Sequence, residues 1–208
     1  MTHLRQTSPH GSLVALSTMK DEGPTVVEWV AHHLAVGFTE VMVYTNDCSD
    51  GTDDLLKRLE ALDIGVHHRE NVIPEGVKPH PSMLKLAAEE ELILNSDWVL
   101  VLDADEFMTI NHPSGTLDGL VADLNAMCAQ AMVLTWRIFG SSGIRDWSRQ
   151  PITDQFTRAA PEFWNKGWGT KTMLKFDPKY LRLGMHRPII KSQHKETDYP
   201  DSILWVNG

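Results

Sequence analysis

Trp98-Val99-Leu100-Val101-Leu102-Asp103-Ala104-Asp105-Glu106-Phe107 runs five apolar residues straight into three carboxylates within four positions. A short, β-rich apolar run bounded by polar residues reads as a strand buried on both faces, as in a parallel sheet. Packing gives such a strand no reason to end in acids, because buried carboxylates without partners are costly. In open α/β sheets ligands sit just beyond the carboxyl ends of the strands, where these acids fall. Asp103 and Asp105 are two apart, so an extended chain points both to one side, roughly 6.6 Å apart along the strand. That spacing suits one hard divalent cation whose remaining positions are filled by water and phosphate oxygens. A solvated strand end with a helix cap is the plainer alternative. The expectation is a metal–phosphate site.

Upstream of this stretch the pattern alternates. Leu13-Val14-Ala15-Leu16-Ser17 reads as a first strand that empties into Lys20-Asp21-Glu22-Gly23. Pro24 suits the first residue of a helix with apolar Val26, Val30 and Leu34, and Gly37 is placed to close it. Val41 to Tyr44 forms a second strand, followed by Thr45 to Thr52 and a helix through Leu55, Leu56, Leu59 and Leu62, capped by Ser49 or Asp50. Ile64 to His67 reads as a short third strand. A loop rich in Pro and Gly, 71–81, is expected over the site, and a third helix runs from Met83 to Leu92. Strand and helix in alternation predict a parallel sheet with right-handed crossovers. Beyond Phe107, a helix is expected over 117–127 and a strand over 132–139. From Gly140 onward periodicity fades among glycines, prolines and tryptophans, and loops and short strands are expected. The apolar run Ile203 to Val206 reads as an edge strand or a docked helix.

The 208 residues, 42% hydrophobic, suffice for one domain with a full core. We divide them into a polar tail, 1–11, and a domain, 12–208, whose halves 12–110 and 111–208 serve nucleotide and acceptor. A net charge of −9 argues against nucleic acid as the main partner and against an anionic membrane surface. A diphosphate ligand stays compatible with that charge if a metal ion accompanies it. Cys48 and Cys128 are too few for a disulfide framework. No apolar run approaches the ~20 residues of a membrane span, and the start shows no signal peptide, so a cytoplasmic protein is expected, possibly peripheral to a membrane.

Three polar strand ends therefore converge: Lys20 to Gly23, Thr45 to Thr52, and Asp103 to Glu106. Neither a G-x-G-x-x-G turn nor a Gly-rich P-loop is present, so phosphates must be held another way. A metal on Asp103 and Asp105 is the available means.

In these three segments the chain resembles the family 2-like glycosyltransferases of GT-A fold, across roughly residues 12–192. The resemblance lies in Lys20-Asp21-Glu22, in Asn46-Asp47-Cys48-Ser49-Asp50-Gly51-Thr52, and in Asp103-Ala104-Asp105-Glu106-Phe107. Glu28-Trp29 and the Asp-Ala-Asp-Glu-Phe ending look like a bacterial subgroup of such transferases. The resemblance implies an α/β fold with a mostly parallel, Rossmann-like sheet flanked by helices, a single domain and an irregular C-terminal acceptor region. It implies that Asp103 lies near the ribose of a donor nucleotide, and that Asp105 holds the Mn²⁺ or Mg²⁺ bridging its diphosphate. By the same likeness Lys20, Glu22, Thr45, Asn46 and Asp50 belong to the donor-binding turns, and His186 is a third metal ligand. Thr45 stands where family members often carry Asp. A UDP-sugar is the favoured donor, a GDP-sugar the second, and a glycan or other hydroxyl compound the acceptor.

Each residue also has a plainer reading. Glu22 favours a helix N-terminus, Asp50 is an ordinary N-cap or turn residue, and His186 is a loop histidine. The pairs His32-His33 and His67-His68 are read as packing or surface residues. Trp136, Phe139 and Trp168 suit a core as well as a sugar platform. The implied reaction is attack by an acceptor hydroxyl on the anomeric carbon, with an inverting enzyme needing a carboxylate base. Asp146, Asp154 and Glu162 are the candidates, and nothing in the sequence chooses among them. Two other readings are open. A haloacid dehalogenase-like phosphohydrolase also places Asp-x-Asp after a strand, but usually an early one, with Thr or Val where Phe107 stands. A non-catalytic nucleotide-sugar-binding domain is the other.

Overall fold

A computed structural model describes residues 5–161, 164, 169–191 and, as backbone alone, 204–207. The fold begins with β1 (Leu13–Met19), α1 (Val26–Val36), β2 (Glu40–Thr45), α2 (Thr52–Glu60) and β3 (Val66–Glu70). It continues through α3 (Pro79–Ala87), α4 (Glu91–Leu94), β4 (Trp98–Val101), α5 (Leu117–Ala126) and β5 (Ala129–Thr135). The last described elements are α6 (Ile152–Gln155), β6 (Thr170–Leu174), β7 (Leu181–Arg182), β8 (Ile189–Ile190) and β9 (Leu204–Asn207).

Seven strands form one sheet in the order β3-β2-β1-β4-β6-β5-β9. β1, β2, β3 and β4 are mutually parallel, and β6 alone runs against its neighbours β4 and β5. The mostly parallel α/β sheet expected from the alternating pattern is present, and β4 lies at its centre. All four residues of β4 are buried, as an unbroken apolar run requires.

The two faces follow the strand period of two. Leu13, Ala15, Val41, Val43, Trp98 and Leu100 face one core with Val26, Trp29, Val30, Leu56, Leu117 and Val121 from α1, α2 and α5. Val14, Leu16, Met42, Tyr44, Val99 and Val101 face the other, with Met83, Ala87 and Ile93 from α3 and α4 and Leu181 from β7. From Arg5 the chain is tied to the domain: the Arg5 guanidinium bridges Glu40 at 2.5 Å and Asp63 at 3.4 Å, while Ser8 donates to Asp118 at 2.5 Å.

Several boundaries differ from the sequence expectation. Pro24 lies in the turn before α1, because the chain first turns back at Glu22, whose carbonyl accepts from Thr25 and Val26. Gly37 closes α1 as expected, at φ 125°. The expected helix over Met83 to Leu92 divides into α3 and α4. β5 ends at Thr135, and Trp136 to Phe139 leave the sheet. Of the two readings for the apolar C-terminal run, the edge strand is the one found: β9 pairs parallel with β5.

Candidate functional site

β1, β2, β3 and β4 point the same way, and β6 begins where β4 ends, so one sheet edge collects every polar turn singled out above. Asp103 follows β4 directly. Its Oδ2 accepts from Lys171 Nζ at 2.8 Å, and His80 Nε2 lies 3.4 Å from its Oδ1. Lys171, on β6, is 3% exposed and also contacts Glu106 Oε2 at 3.0 Å. Glu106 Oε2 in turn accepts the Asp103 backbone N–H at 2.7 Å, folding the acid run into a tight turn. Burial raises the Glu106 carboxyl above its ordinary range, against the pull of the Asp103 N–H and Lys171. Asp105 is exposed.

Lys171 was not singled out in the sequence, where it is one lysine in an aperiodic region. Only the pairing of β6 beside β4 brings it to the acids. The stretch expected as a loop over 71–81 is helical from Pro79, and it is His80, in the first turn of α3, that approaches Asp103.

The other two turns are stitched together. Asp21 Oδ1 accepts the Ser49 N–H at 2.6 Å and its hydroxyl at 3.1 Å, while Asp50 Oδ2 accepts the Gly23 N–H at 2.7 Å. A Cβ at Gly23 would stand 2.8 Å from Asp50 Oδ2, so this approach needs glycine. Asp50 Oδ1 takes the Thr52 hydroxyl at 2.6 Å and N–H at 3.0 Å, and the hydroxyl is the main reason its carboxyl is held low. Both Asp50 oxygens are thus engaged within the protein as those of a turn residue, whereas the residue capping α2 is Gly51, at φ 87°, and neither Ser49 nor Asp50. Asp21 and Asp47 each take a left-handed backbone, φ 56° and 48°, which a short acidic side chain tolerates.

Thr45 is buried, with its hydroxyl 2.8 Å from His68 Nε2. Asn46 donates to Asp47 at 3.1 Å, and Lys20 is exposed. Glu22 is half-buried, and burial raises its carboxyl first, with Asp105, Asp50 and Asp21 adding to the rise and a Thr25 hydrogen bond opposing it. Glu22 and Asp105 therefore share one field, though they come from different strand ends.

α1 holds the acid-bearing segment from behind. Trp29 Nε1 donates to the Glu106 carbonyl at 2.8 Å, and His32 Nε2 lies 2.8 Å from the Met108 carbonyl. His33 is fully buried. Its Nδ1 lies 2.8 Å from the Trp29 carbonyl, and its Nε2 accepts the Met108 N–H at 3.4 Å. Burial pushes the His33 imidazole down to about 4, which keeps the acceptor nitrogen unprotonated. The histidine pair read as packing residues thus clamps both backbone groups of Met108. Glu28 reaches the other way and caps α6, accepting the N–H groups of Ile152 at 2.7 Å and Thr153 at 3.1 Å.

His186 is exposed, with Nδ1 3.0 Å from the Thr170 carbonyl and its ring 5.6 Å from that of Trp136. An Nδ1–H donated to a carbonyl leaves Nε2 with its lone pair outward, the arrangement metal-binding histidines use. Among the described residues, however, no three His, Cys, Asp or Glu side chains come together closely enough to cage an ion. Asp103 is already neutralised by Lys171. What fits here is a hard cation on Asp105, taking the rest of its shell from ligand oxygens and water. Of the candidate bases, Asp146 and Asp154 are exposed on the segment after β5, while Glu162 lies outside the described residues, as does Trp168.

No protein-family model matches the chain, and no curated protein matches it. Among solved structures it is similar to S. aureus TarS 1-349, at 13% identity and TM-score 0.47, over 66% of this chain and 38% of that one. It is similar to the mannosyltransferase PcManGT of Pyrobaculum calidifontis, in complex with GDP-Man and Mn2+, at 20% identity and TM-score 0.43, over 59% of this chain and 34% of that one. A third, 4-diphosphocytidyl-2C-methyl-D-erythritol synthase, is 15% identical at TM-score 0.39, over 79% of this chain and 75% of that one. The chain thus spans little more than a third of the first two. At these scores the likenesses assign neither activity nor ligand.

Proposed function

We propose that this chain is a metal-dependent glycosyltransferase of the family 2-like, GT-A kind, moving a sugar from a nucleoside-diphosphate donor to an acceptor hydroxyl. The observation that carries the reading is that the Glu22 turn and the Asp103–Asp105 turn, from two strand ends, lie at one sheet edge and within each other's field. There burial, with the charge of Asp105 adding, raises the Glu22 carboxyl, while Lys171 balances Asp103. Like charges held together in this way are relieved by a cation that arrives with its ligand.

In this reading Asp103, oriented by Lys171 and by the turn through Glu106, accepts from donor hydroxyls. Asp105 would face the diphosphate through the ion, whose remaining positions ligand oxygens and water would fill, with Glu22 and His186 on the same rim. A bound Mn²⁺ or Mg²⁺ would supply charge stabilisation to the departing diphosphate. The acceptor oxygen forms its bond to the anomeric carbon as the carbon–phosphate-oxygen bond breaks, and that electron pair leaves on the nucleoside diphosphate. The acceptor proton passes to a carboxylate, for which Asp146 and Asp154 are the described candidates. Lys20, Thr45, Asn46 and Asp50 shape the donor turns, Asp50 and Thr45 through the hydrogen bonds they already make.

The test is thermal unfolding with UDP or GDP, each with and without Mn²⁺. A ligand at a hundred times its dissociation constant stabilises by about 2.7 kcal/mol. In a chain of this size that is a rise in melting temperature of about 5–10 °C. We expect that rise for one nucleotide plus metal, little for either alone, and its loss in Asp105→Asn with the fold retained. A large shift with NAD or a phosphomonoester instead would overturn the reading.

A further inference from the structure

Charge is laid out unevenly along this chain. Up to Leu134 it carries 7 Lys and Arg against 21 Asp and Glu, and from Thr135 to Lys191 it carries 11 against 4. Four of those eleven cations, against Asp146 and Asp154, lie on one arm, residues 136–160, which leaves the sheet at the end of β5.

The arm is fixed at both ends. Trp136 N–H donates to Gly169 at 2.9 Å, and Phe139 bridges Ala159. Gly140 N–H donates to Arg158 at 3.0 Å and Ala160 N–H to Ile138 at 2.7 Å. Ser142 Oγ accepts the Thr157 and Arg158 N–H groups at 3.0 and 3.1 Å, and Glu28 holds the turn at α6. β5 runs parallel to β4, so the arm starts at the same sheet edge as Asp103. Trp136 stands against His186 there, and Lys171 of β6 reaches Asp103.

Four arginines stand exposed on the arm, Arg137, Arg145, Arg149 and Arg158, and among the described residues none of them is paired with a carboxylate. Aromatic faces alternate with them: Trp147 is 72% exposed and Phe139 51%. In the order Arg145-Asp146-Trp147-Ser148-Arg149 a tryptophan lies two positions from each of two arginines. A fixed loop does not keep four arginines and two large aromatic rings exposed for packing. Guanidinium forks match carboxylates, sulfates and phosphates, and flat rings match the apolar faces of sugars. Interfacial membrane segments instead need a continuous apolar face, and here the aromatics are separated by Ser, Gly and Gln.

We propose that the arm binds an anionic saccharide, its acid groups on Arg137, Arg145, Arg149 and Arg158 and its ring faces on Trp147 and Phe139. We assign this saccharide as the acceptor. The assignment as acceptor rests on the transferase reading, whereas the binding does not.

The full chain, without nucleotide or metal, is titrated calorimetrically with an oligogalacturonate, a neutral galactan oligomer of equal length, and phosphatidylcholine vesicles with and without phosphatidylglycerol. Oligogalacturonate is expected to bind and the neutral oligomer not. Arg145→Gln with Arg149→Gln should weaken binding by at least about tenfold, as loss of charge-assisted hydrogen bonds does. Trp147→Ala should weaken it several-fold, and all variants should keep the wild-type melting temperature. No uronate binding, or binding that neither set of variants alters, overturns the proposal. Loss with the arginines but not with Trp147→Ala shows mere polyanion adsorption and also overturns it, as does tighter binding to the phosphatidylglycerol vesicles. The nucleotide and Mn²⁺ shift is read separately on the same samples. Uronate binding without that shift keeps the site and removes the acceptor role, and the shift without uronate binding removes the site alone.

Discussion

At the residue scale, Lys171 is the side chain on which the acid cluster most depends. It is 3% exposed between Asp103 and Glu106, so its charge is matched by two carboxylates and scarcely by water. Breaking a buried pair by removing one partner costs more than the pair contributes, because the other charge is left stranded. Lys171→Met should lower the unfolding free energy by about 3–5 kcal/mol, read as a drop in urea midpoint at unchanged slope. Adding Glu106→Gln should recover part of the loss, since the amide can still accept the Asp103 N–H without carrying charge. An unchanged midpoint in Lys171→Met would mean that water already screens the acids. Asp50 shows the reverse situation. It attracts a functional reading by its place in a motif, yet its oxygens are taken up by Thr52 of its own turn and by Gly23 of the neighbouring one.

At the element scale, α1 is a bracket as much as a layer. Its inner face packs on the sheet, and Trp29, His32 and His33 grip the segment that carries the acids. The grip depends on a neutral His33, whose imidazole is held down to about 4 from an ordinary 6.5. A histidine pKa that is lower folded than unfolded means the unfolded chain binds the extra proton between those values. Stability from this group is therefore present above pH 6.5 and lost as pH falls toward 4, by about 3 kcal/mol in all. His33→Leu should be less stable than wild type at pH 7, because the Met108 N–H loses its acceptor. That gap should narrow by a similar amount at pH 4, measured by urea unfolding of both proteins. A gap that stays constant would show that His33 is protonated or solvated in the folded state.

At the scale of the whole molecule, the sheet is finished by a strand far away in sequence. β9 pairs with the outer edge of β5, matching Ala129 to Leu204 and Ala131 to Trp205. Deleting residues 192–208 would bare that edge, and an unpaired edge strand recruits other chains. We expect the shortened protein to associate in a concentration-dependent way by light scattering while the full chain does not. Equal behaviour of the two would show that the β5 edge is protected by its own residues. Among the described residues no helix is long and apolar enough to cross a membrane.

How much of this was legible in advance follows from the range of the forces involved. Strand and helix order from Leu13 to Phe107 could be read because apolar periodicity is local, and so could the edge at which the acids emerge. Helix ends were less legible: Pro24 fits a first helical turn by its own φ, and only the hydrogen bonds to Glu22 move the start to Val26. The acids at 103, 105 and 106 were visible as a break in an apolar run, whereas Lys171 sits among residues without period and acquires its role only when β6 pairs beside β4. The histidines of α1 have the same history, since a ring that accepts from Met108 lies 75 residues away in the chain. What the residue order determined was the layered α/β plan and the location of its charged rim, through patterns that repeat within a few positions. The partners of each charge were decided by tertiary contact, because ion pairs and side-chain hydrogen bonds act over about 3 Å and leave no mark on sequence spacing.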